Sequence, residues 1–242
     1  SKIALHYYNR KTIKFDIKND QSVVTKADTE IESTIRKAAK EIDPNIDIIG
    51  EEFSNELSNN SLKLIIDPID GTSNFVRNIP LFGPLLAIEK NSEIICGLAC
   101  NCITEDIWFA SKNQGSFHND QKINVSTIST IADSQAFYGS LFGKEARGSF
   151  ENLINLLSQT KRQRGIGDFI MHMWVASGFG EFAIDFGLKP WDLGPLGIII
   201  TEAGGNVSQT NGDPFSIYKE SILTSNNKFH DKLVSIFNTP IA

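Results

Sequence analysis

The stretch Lys63-Leu-Ile-Ile-Asp67-Pro-Ile-Asp70-Gly71-Thr72-Ser73-Asn74 leads an apolar run directly into two carboxylates that are three residues apart. The apolar residues predict a strand over 62–66, and Pro68 predicts a turn immediately after it. Asp67 and Asp70 then meet at the carboxyl end of a strand, which is where the ligand sites of α/β proteins collect. The pattern therefore predicts a polar site at that edge of a sheet.

The residues after Asp70 indicate which ligands such a site binds. The backbone N–H groups of Gly71 and Thr72 would face an anion if a helix or tight turn begins there. Carboxylates beside an anion make chemical sense when divalent cations lie between them, and Mg²⁺ prefers carboxylates, water and substrate phosphate as ligands. The alternative is an Asp-Gly turn whose aspartates only cap backbone amides, and an isolated Asp-Gly favours that alternative.

Three further acids accompany this stretch, and each has a plain structural alternative. Gly50-Glu51-Glu52 closes an apolar run, and two neighbouring strands would bring Glu51 close to Asp67 at one end of the sheet. The alternative for Glu51 is a solvated acidic loop. Asp28 and Asp192 stand at predicted helix starts, so each of them can instead be a simple N-terminal helix cap.

Composition excludes several classes of protein. The 242 residues are 40% hydrophobic and 21% charged, which is typical of a globular chain and not of a disordered one or a coiled coil. A net charge of −6 provides no basic field for nucleic acid or an anionic membrane. The three cysteines, Cys96, Cys100 and Cys102, complete neither a disulfide framework nor a zinc site and predict inert thiols. Without a signal-peptide pattern or a membrane-spanning run, we expect a cytoplasmic protein.

Periodicity predicts an α+β chain in two parts. Short apolar stretches alternate with polar turns over 81–125 and predict an antiparallel meander. The first predicted strand is 46–49. The predicted helices are 29–42 with a capping box at Thr29-Glu30-Ile31-Glu32, 150–157 after the potential cap Ser149, 168–177, 192–203 with Pro195 in its first turn, and 229–237. We expect an N-terminal part at 1–132 and a C-terminal part at 133–242, fused over a shared interface.

Four motifs occur in one order: Gly50-Glu51-Glu52, Asp67-Pro-Ile-Asp-Gly-Thr-Ser-Asn-Phe75, Trp191-Asp192 and Glu202-Ala-Gly-Gly205. Together they resemble the inositol monophosphatase superfamily over nearly the whole chain. The resemblance implies an αβαβα layered sandwich, a homodimer, and hydrolysis of a small phosphate monoester by metal-activated water. It implies two or three Mg²⁺ ions, held by Glu51, Asp67, the carbonyl of Ile69, Asp70 and Asp192. It also implies that Gly71 and Thr72 bind phosphate. Catalytic roles are implied for Asp28, Thr72 and Glu51, and Thr72 with Asp28 would orient the attacking water.

The segment Phe75-Val76-Arg77-Asn78-Ile79-Pro80 is similar to the histidinol-phosphatase branch, although Asn78 replaces a glycine of that branch. Histidinol phosphate carries an ammonium group and an imidazole, so the resemblance implies Asp168 and Asp185 as acidic substrate contacts, with Arg77 as a further candidate. The alternatives are a helix cap for Asp168, a surface acid for Asp185 and a surface ion pair for Arg77.

Other functions stay open at this point. An inositol-1-monophosphatase or a broad-specificity sugar or polyol phosphatase would use the same metal ligands. A different class is a regulatory partner of the transcription machinery, as some bacterial relatives are, acting through protein contact rather than direct nucleic-acid binding. The sequence contains no Cys-x5-Arg loop, and its four histidines are scattered, so a covalent phosphoenzyme is not indicated. We therefore expect a small phosphate ester as the partner, with neither nucleic acid nor membrane.

Overall fold

The computed structural model of this chain describes residues 1–8, 13–18, 22–58, 60–139, 141 and 149–239. A seven-stranded sheet contains β3 (Asp47–Gly50), β4 (Leu62–Asp70), β5 (Gly83–Lys90), β6 (Glu93–Asn101), β7 (Asp106–Ser111), β8 (Gly115–His118) and β9 (Gln121–Ile123). The strands are neighbours in this order, and the short helix α3 (Thr72–Val76) follows β4. Strands β3 and β4 are parallel, with Gly50 opposite Ile66, and the other neighbouring pairs are antiparallel. The predicted meander over 81–125 is confirmed.

The residues before this sheet form α1 (Lys2–Tyr8), an antiparallel pair β1 (Phe15–Ile17) and β2 (Val23–Thr25), and α2 (Lys26–Ile42). Helix α2 begins three residues before the predicted start, and the capping box predicted at Thr29 is wrong. Thr25 is the cap: its Oγ1 accepts the N–H of Ala27, and Asp28 Oδ2 accepts the N–H of Thr25 at 2.8 Å. Thr29 already lies inside the helix, where its hydroxyl donates to the carbonyl of Lys26.

The rest of the chain forms a five-stranded sheet with the order β11-β10-β12-β14-β13. Its elements are a 3₁₀ turn (Ile131–Asp133), β10 (Gln135–Tyr138), α4 (Phe150–Ser158), β11 (Arg162–Gly165), α5 (Ile170–Ala176), β12 (Phe182–Phe186), α6 (Pro190–Glu202), β13 (Asn206–Ser208), β14 (Ser221–Ser225) and α7 (His230–Asn238). Strand β10 is parallel to β11 and β12, whereas β14 is antiparallel to β12 and β13.

Helices and sheets alternate in five layers. Helix α6 lies between the two sheets and contacts β5, β6 and β7 on one side and β13 and β14 on the other. Its residues are therefore apolar on all sides, and those from Leu193 to Ile200 are buried. Helix α2 covers the outer face of the first sheet, where Ile35 packs against Ile48 and Leu64. Helices α4 and α7 cover the outer face of the second. The expected αβαβα sandwich is confirmed.

Two further helix starts and one predicted cap differ from the structure. Helix α5 begins at Ile170 rather than at 168, because Asp168 has a left-handed backbone with φ +61°. Helix α6 begins at Pro190, where the missing N–H of proline has no intrahelical partner, so Pro195 lies inside the helix and not in its first turn. Ser149 precedes α4, but its side chain makes no capping hydrogen bond.

We retain the division at 132/133 as a proposal. The boundary falls in the 3₁₀ turn Ile131–Asp133, between the last strand of one sheet and the first of the other. One apolar cluster nevertheless joins the two parts, because Leu85 of the first sheet shares it with Phe137 and Ile222 of the second. Within the described ranges, none of the helices has both the length and the apolar character that crossing a membrane requires.

Candidate active site

The carboxyl end of β4 gathers three carboxylates. One oxygen from each of Asp67, Asp70 and Asp192 lies within 4.8 Å of the other two. Asp67 and Asp70 belong to β4, and Asp192 belongs to the first turn of α6. Asp67 is buried, whereas Asp70 and Asp192 are half-buried. The structure therefore brings together three of the four side chains that were predicted to bind metal.

The turn predicted at Pro68 is wrong, because β4 continues through Pro68 to Asp70 and is irregular there. This irregularity explains how two acids three residues apart reach one site. In a regular strand, residues at this spacing point to opposite faces. Here Asp67 lies opposite Leu85 and Asp70 opposite Gly83, so β4 contains one residue more than β5 over this step. Such a bulge re-aims side chains. Gly71 follows with φ +82°, and a Cβ there would lie 2.8 Å from the carbonyl oxygen of Leu81.

Burial and neighbouring charges both act on the pKa values of the three carboxylates. Burial raises the pKa of Asp67 well above its ordinary value, and the charges of Glu51, Asp70 and Asp192 raise it further. Burial likewise raises the pKa of Asp70, with Asp168 and Asp192 adding to it. Burial, together with Glu51, raises the pKa of Asp192 to about 7, although the backbone N–H of Lys189 opposes the shift. A hard dication would relieve this repulsion, and an all-oxygen donor set suits Mg²⁺.

Asp28 and Thr72 meet at the edge of the cluster. Thr72 begins helix α3 (Thr72–Val76). Its Oγ1 lies 2.9 Å from the carbonyl oxygen of Ile69 and 3.2 Å from Asp28 Oδ1, so the hydroxyl hydrogen is shared between the two acceptors. Asp28 is fully buried, and burial raises its pKa to about 6, although hydrogen bonds from Thr25 lower it. Asp28 is thus both part of the α2 capping box and a partner of Thr72.

Glu51 is neither free in solvent nor one of the three clustered acids. Its Oε1 pairs with Lys18 Nζ at 2.8 Å, and the same ammonium group pairs with Glu52 at 2.8 Å. Burial alone would lower the pKa of Lys18, but the charges of Glu51 and Glu52 raise it overall. The solvated-loop alternative for Glu51 is therefore wrong. The sequence analysis gave Lys18 no role, because a lysine in a polar loop carries no local signal of the acids it meets.

Asp168 lies against the residues that follow β4. Its Oδ2 accepts a 2.6 Å hydrogen bond from the amide of Asn74, which also donates to the carbonyl of Leu81. The backbone N–H of the next residue, Phe169, donates to Asp70 Oδ2 at 2.7 Å. Burial raises the pKa of Asp168 to about 6, although the bond from Asn74 lowers it. Asp168 is therefore not a helix cap, and Asn74 is a site neighbour that the sequence analysis missed.

Asp185 and Arg77 differ in their surroundings. Asp185 is 2% exposed within β12, so the surface-acid alternative is wrong. Its charge contributes to the raised pKa of Asp70, which places it in the electrostatic reach of the cluster. Arg77 is exposed after α3, and its guanidinium donates to the carbonyl of Ser73 at 3.3 Å. Asn78, which stands where the similar branch has glycine, has φ +58°, a conformation that asparagine tolerates.

A separate cavity of about 460 Å³ lies beside the C-terminal half of α6. It also contains acids, but each has its own partners. Glu89 binds Lys63 and the hydroxyl of Tyr218, Glu93 pairs with Lys112, and Glu202 accepts two backbone N–H groups. The carboxylates at the end of β4 instead face one another. That arrangement, rather than cavity size, identifies the candidate cation site.

A family model described as "Inositol monophosphatase family" matches residues 1–241. A histidinol-phosphatase of Streptomyces coelicolor is 31% identical over 235 residues, which cover 93% of this chain and 88% of that protein. An inositol monophosphatase of Dictyostelium discoideum is 29% identical over 240 residues, covering 96% and 88% of the two chains.

Solved structures show the same fold. The extragenic suppressor protein suhB from Bartonella henselae superimposes with a TM-score of 0.93 at 24% identity, covering 99% of this chain and 94% of that one. An IMPase/NADP phosphatase solved with Mg²⁺ and phosphate has a TM-score of 0.85 at 20% identity, covering 94% and 87%. At these identities, the likeness establishes the fold alone.

Proposed function

Because this chain belongs to the inositol monophosphatase family and is a phosphoric monoester hydrolase, we propose that it uses Mg²⁺ to hydrolyse a small phosphate monoester by direct attack of water. The observation that carries this proposal is the cluster of Asp67, Asp70 and Asp192, whose ligand oxygens lie within 4.8 Å of one another. Burial raises the pKa of all three, and the charge of Asp192 raises the pKa of Asp67 and Asp70 further. Uncatalysed hydrolysis of such esters is very slow, so catalysis depends on charge neutralisation and positioning.

The metal ligands proposed are the three clustered aspartates, Glu51 and the carbonyl oxygen of Ile69. When two or three Mg²⁺ ions are bound, they would lower the pKa of a water molecule and stabilise the leaving oxygen. Glu51 raises the pKa of both Asp67 and Asp192, which supports its nearness to them. The carbonyl of Ile69 accepts the Thr72 hydroxyl and keeps a second lone pair.

The proposed catalytic residues act on the attacking water and on the phosphate. The Thr72 hydroxyl, polarised by Asp28, would accept a hydrogen bond from the water and fix its direction of attack. Glu51 would contribute to the same step. The backbone N–H groups of Gly71 and Thr72 would bind phosphate oxygens, since both residues stand at the start of α3, where N–H groups lack helical partners.

For the substrate we propose histidinol phosphate. Its ammonium and imidazole groups suit the carboxylates of Asp168 and Asp185, which contribute to the field at Asp70. The similarity to proteins named histidinol-phosphatase supports this choice. Inositol 1-phosphate is the second candidate, since relatives of comparable similarity are named inositol monophosphatases. Arg77 stays a weaker proposal, because its described contact is with its own helix.

Phosphate release tests the proposal. Histidinol phosphate, inositol 1-phosphate, glycerol 2-phosphate and fructose 1,6-bisphosphate would each be assayed with Mg²⁺ and again with EDTA. We expect Mg²⁺-dependent turnover that is fastest on histidinol phosphate and is abolished in Asp70→Asn. Glu93→Gln, which changes a surface ion pair with Lys112, serves as the control and keeps full activity. Turnover that persists in EDTA or in Asp70→Asn would contradict the metal assignment.

Two further properties stay proposals. A homodimer is proposed from the resemblance, and the molar mass measured by light scattering during gel filtration tests it: a mass of one chain at micromolar concentration contradicts it.

A cytoplasmic location is supported by three free cysteines. We propose no nucleic acid or membrane partner, in keeping with the net charge of −6; retention on heparin at 150 mM salt would contradict this.

A further inference from the structure

A buried ion pair lies directly behind the turn that carries Glu51. Glu32 of α2 is 0% exposed, and its Oε1 lies 2.7 Å from Arg36 Nη2 and 2.8 Å from Arg36 Nε. The same carboxylate accepts two consecutive backbone N–H groups of the turn: that of Glu52 on Oε2 at 2.8 Å and that of Phe53 on Oε1 at 3.3 Å. One side chain thus binds both the arginine and the turn backbone.

Arg36 completes the support from the other side. Its Nη2 donates to the carbonyl of Phe53 at 3.3 Å, and its guanidinium carbon lies 5.7 Å from the centroid of the Phe53 ring. Its Nη1 donates to Glu56 at 3.0 Å. Because the guanidinium neutralises Glu32, the buried carboxylate adds little unbalanced charge behind an already acidic site.

Gly50, the last residue of β3, leaves room for the ion pair of Glu32 and Arg36. A Cβ on Gly50 would lie 2.1 Å from Glu32 Oε1 and 2.6 Å from Arg36 Nη2. Any larger residue at position 50 would therefore collide with the ion pair, which packs directly against the end of β3. The close approach gives Gly50 a physical role separate from that of Glu51, its neighbour in the Gly50-Glu51-Glu52 motif.

We propose that Glu32 is a positioning residue that fixes the turn after β3, so that the Glu51 carboxylate is held toward Asp67 and Asp192 for cation binding. This inference rests on the proposed function. Glu51 itself is anchored through its N–H to the carbonyl of Ile66 at 3.2 Å, which holds the turn at one end. Glu32 holds the next two residues. Supporting side chains of this kind typically change metal affinity 10- to 100-fold when replaced.

The test measures metal binding without turnover. Mn²⁺ would be titrated into the metal-free protein and followed by electron paramagnetic resonance of the free ion. In Glu32→Gln, the carboxamide keeps the shape but offers one acceptor oxygen in place of two charged ones. We expect the dissociation constant of the weakest occupied Mn²⁺ site to rise about 10-fold. Glu56→Gln is the matched control, because it removes another carboxylate from Arg36 but no contact with the turn backbone; its change should stay within about 2-fold.

A second variant tests the geometry with every charge retained. Gly50→Ala pushes the carboxylate of Glu32 away from the turn, and we expect it to weaken Mn²⁺ binding in the same direction. Thermal melts in EDTA identify the folded variants. Unchanged affinity in either folded variant, or an equal loss in Glu56→Gln, overturns the positioning role. A wild-type protein that binds no Mn²⁺ would instead refute the proposed metal site itself, so the two failures are distinguishable.

Discussion

Removing one acid from the candidate site should stabilise the metal-free protein. The pKa of Asp192 is about 7 in the folded chain against an ordinary value of 3.8. At about 1.4 kcal/mol per pKa unit, the ionised carboxylate then opposes folding by about 4 kcal/mol at pH 8. Because the group is half-buried, screening by water reduces the effect, and we expect Asp192→Asn to gain about 2–4 kcal/mol. The asparagine oxygen still accepts the N–H of Lys189, and its amide can donate to Asp67.

The sign of the pH dependence follows from the direction of this shift. A carboxyl with a raised pKa stays protonated in the folded chain at acid pH and costs no stability there. As pH rises from about 4 through about 7 it ionises, and the protein loses stability. Urea unfolding in EDTA at pH 4.5, 6 and 8 measures the free energy of unfolding of the wild type and Asp192→Asn. The difference in the free energy of unfolding between Asp192→Asn and the wild type should grow as pH rises. Near pH 4 it should be about 1 kcal/mol or less. Saturating Mg²⁺ should stabilise the wild type more than the variant. An Asp192→Asn protein that is equally or less stable at pH 8 in EDTA would refute the reasoning.

Four other substitutions test the site and the turn at Gly71. Thr72→Ala should lower kcat by about 100-fold or more at saturating Mg²⁺ with little change in Mn²⁺ affinity, because its hydroxyl orients water; the reverse pattern contradicts that role. Asp168→Asn and Asp185→Asn should each lower kcat/KM for histidinol phosphate by about 10- to 150-fold, and for glycerol 2-phosphate much less, as expected for a lost charge-assisted contact. Equal losses on both esters would assign these acids to the fold or the metal site. Gly71→Ala should destabilise the protein by at least about 1 kcal/mol in urea unfolding, since φ is +82° and the Leu81 carbonyl leaves no room for a Cβ; unchanged stability contradicts this.

Local patterns predicted the elements well and their contacts poorly. The strand over 62–66, the meander over 81–125 and the pairing of the strands that precede Glu51 and Asp67 are confirmed, because apolar runs and alternation report directly on strands. The turn predicted from Pro68 is instead a bulge within β4. The contact between Asn74 and Asp168 spans 94 positions, and no local pattern encodes it. Spacing alone did not decide whether the aspartates are metal ligands or only stabilise turns and helix starts. The family resemblance was needed to assign them as ligands.

The cap and ligand interpretations of the acidic residues were treated as alternatives, yet the geometry makes them compatible. One oxygen of each carboxylate accepts a backbone N–H: from Ile69 to Asp67, from Phe169 to Asp70, from Lys189 to Asp192 and from Thr25 to Asp28. A carboxylate anchored through one oxygen has its second oxygen fixed in direction. Helix starts and a bulged strand end therefore do more than bring acids together, because they orient the remaining oxygens before any cation arrives. A replacement that keeps the anchor, such as asparagine, should preserve the fold while removing the charge.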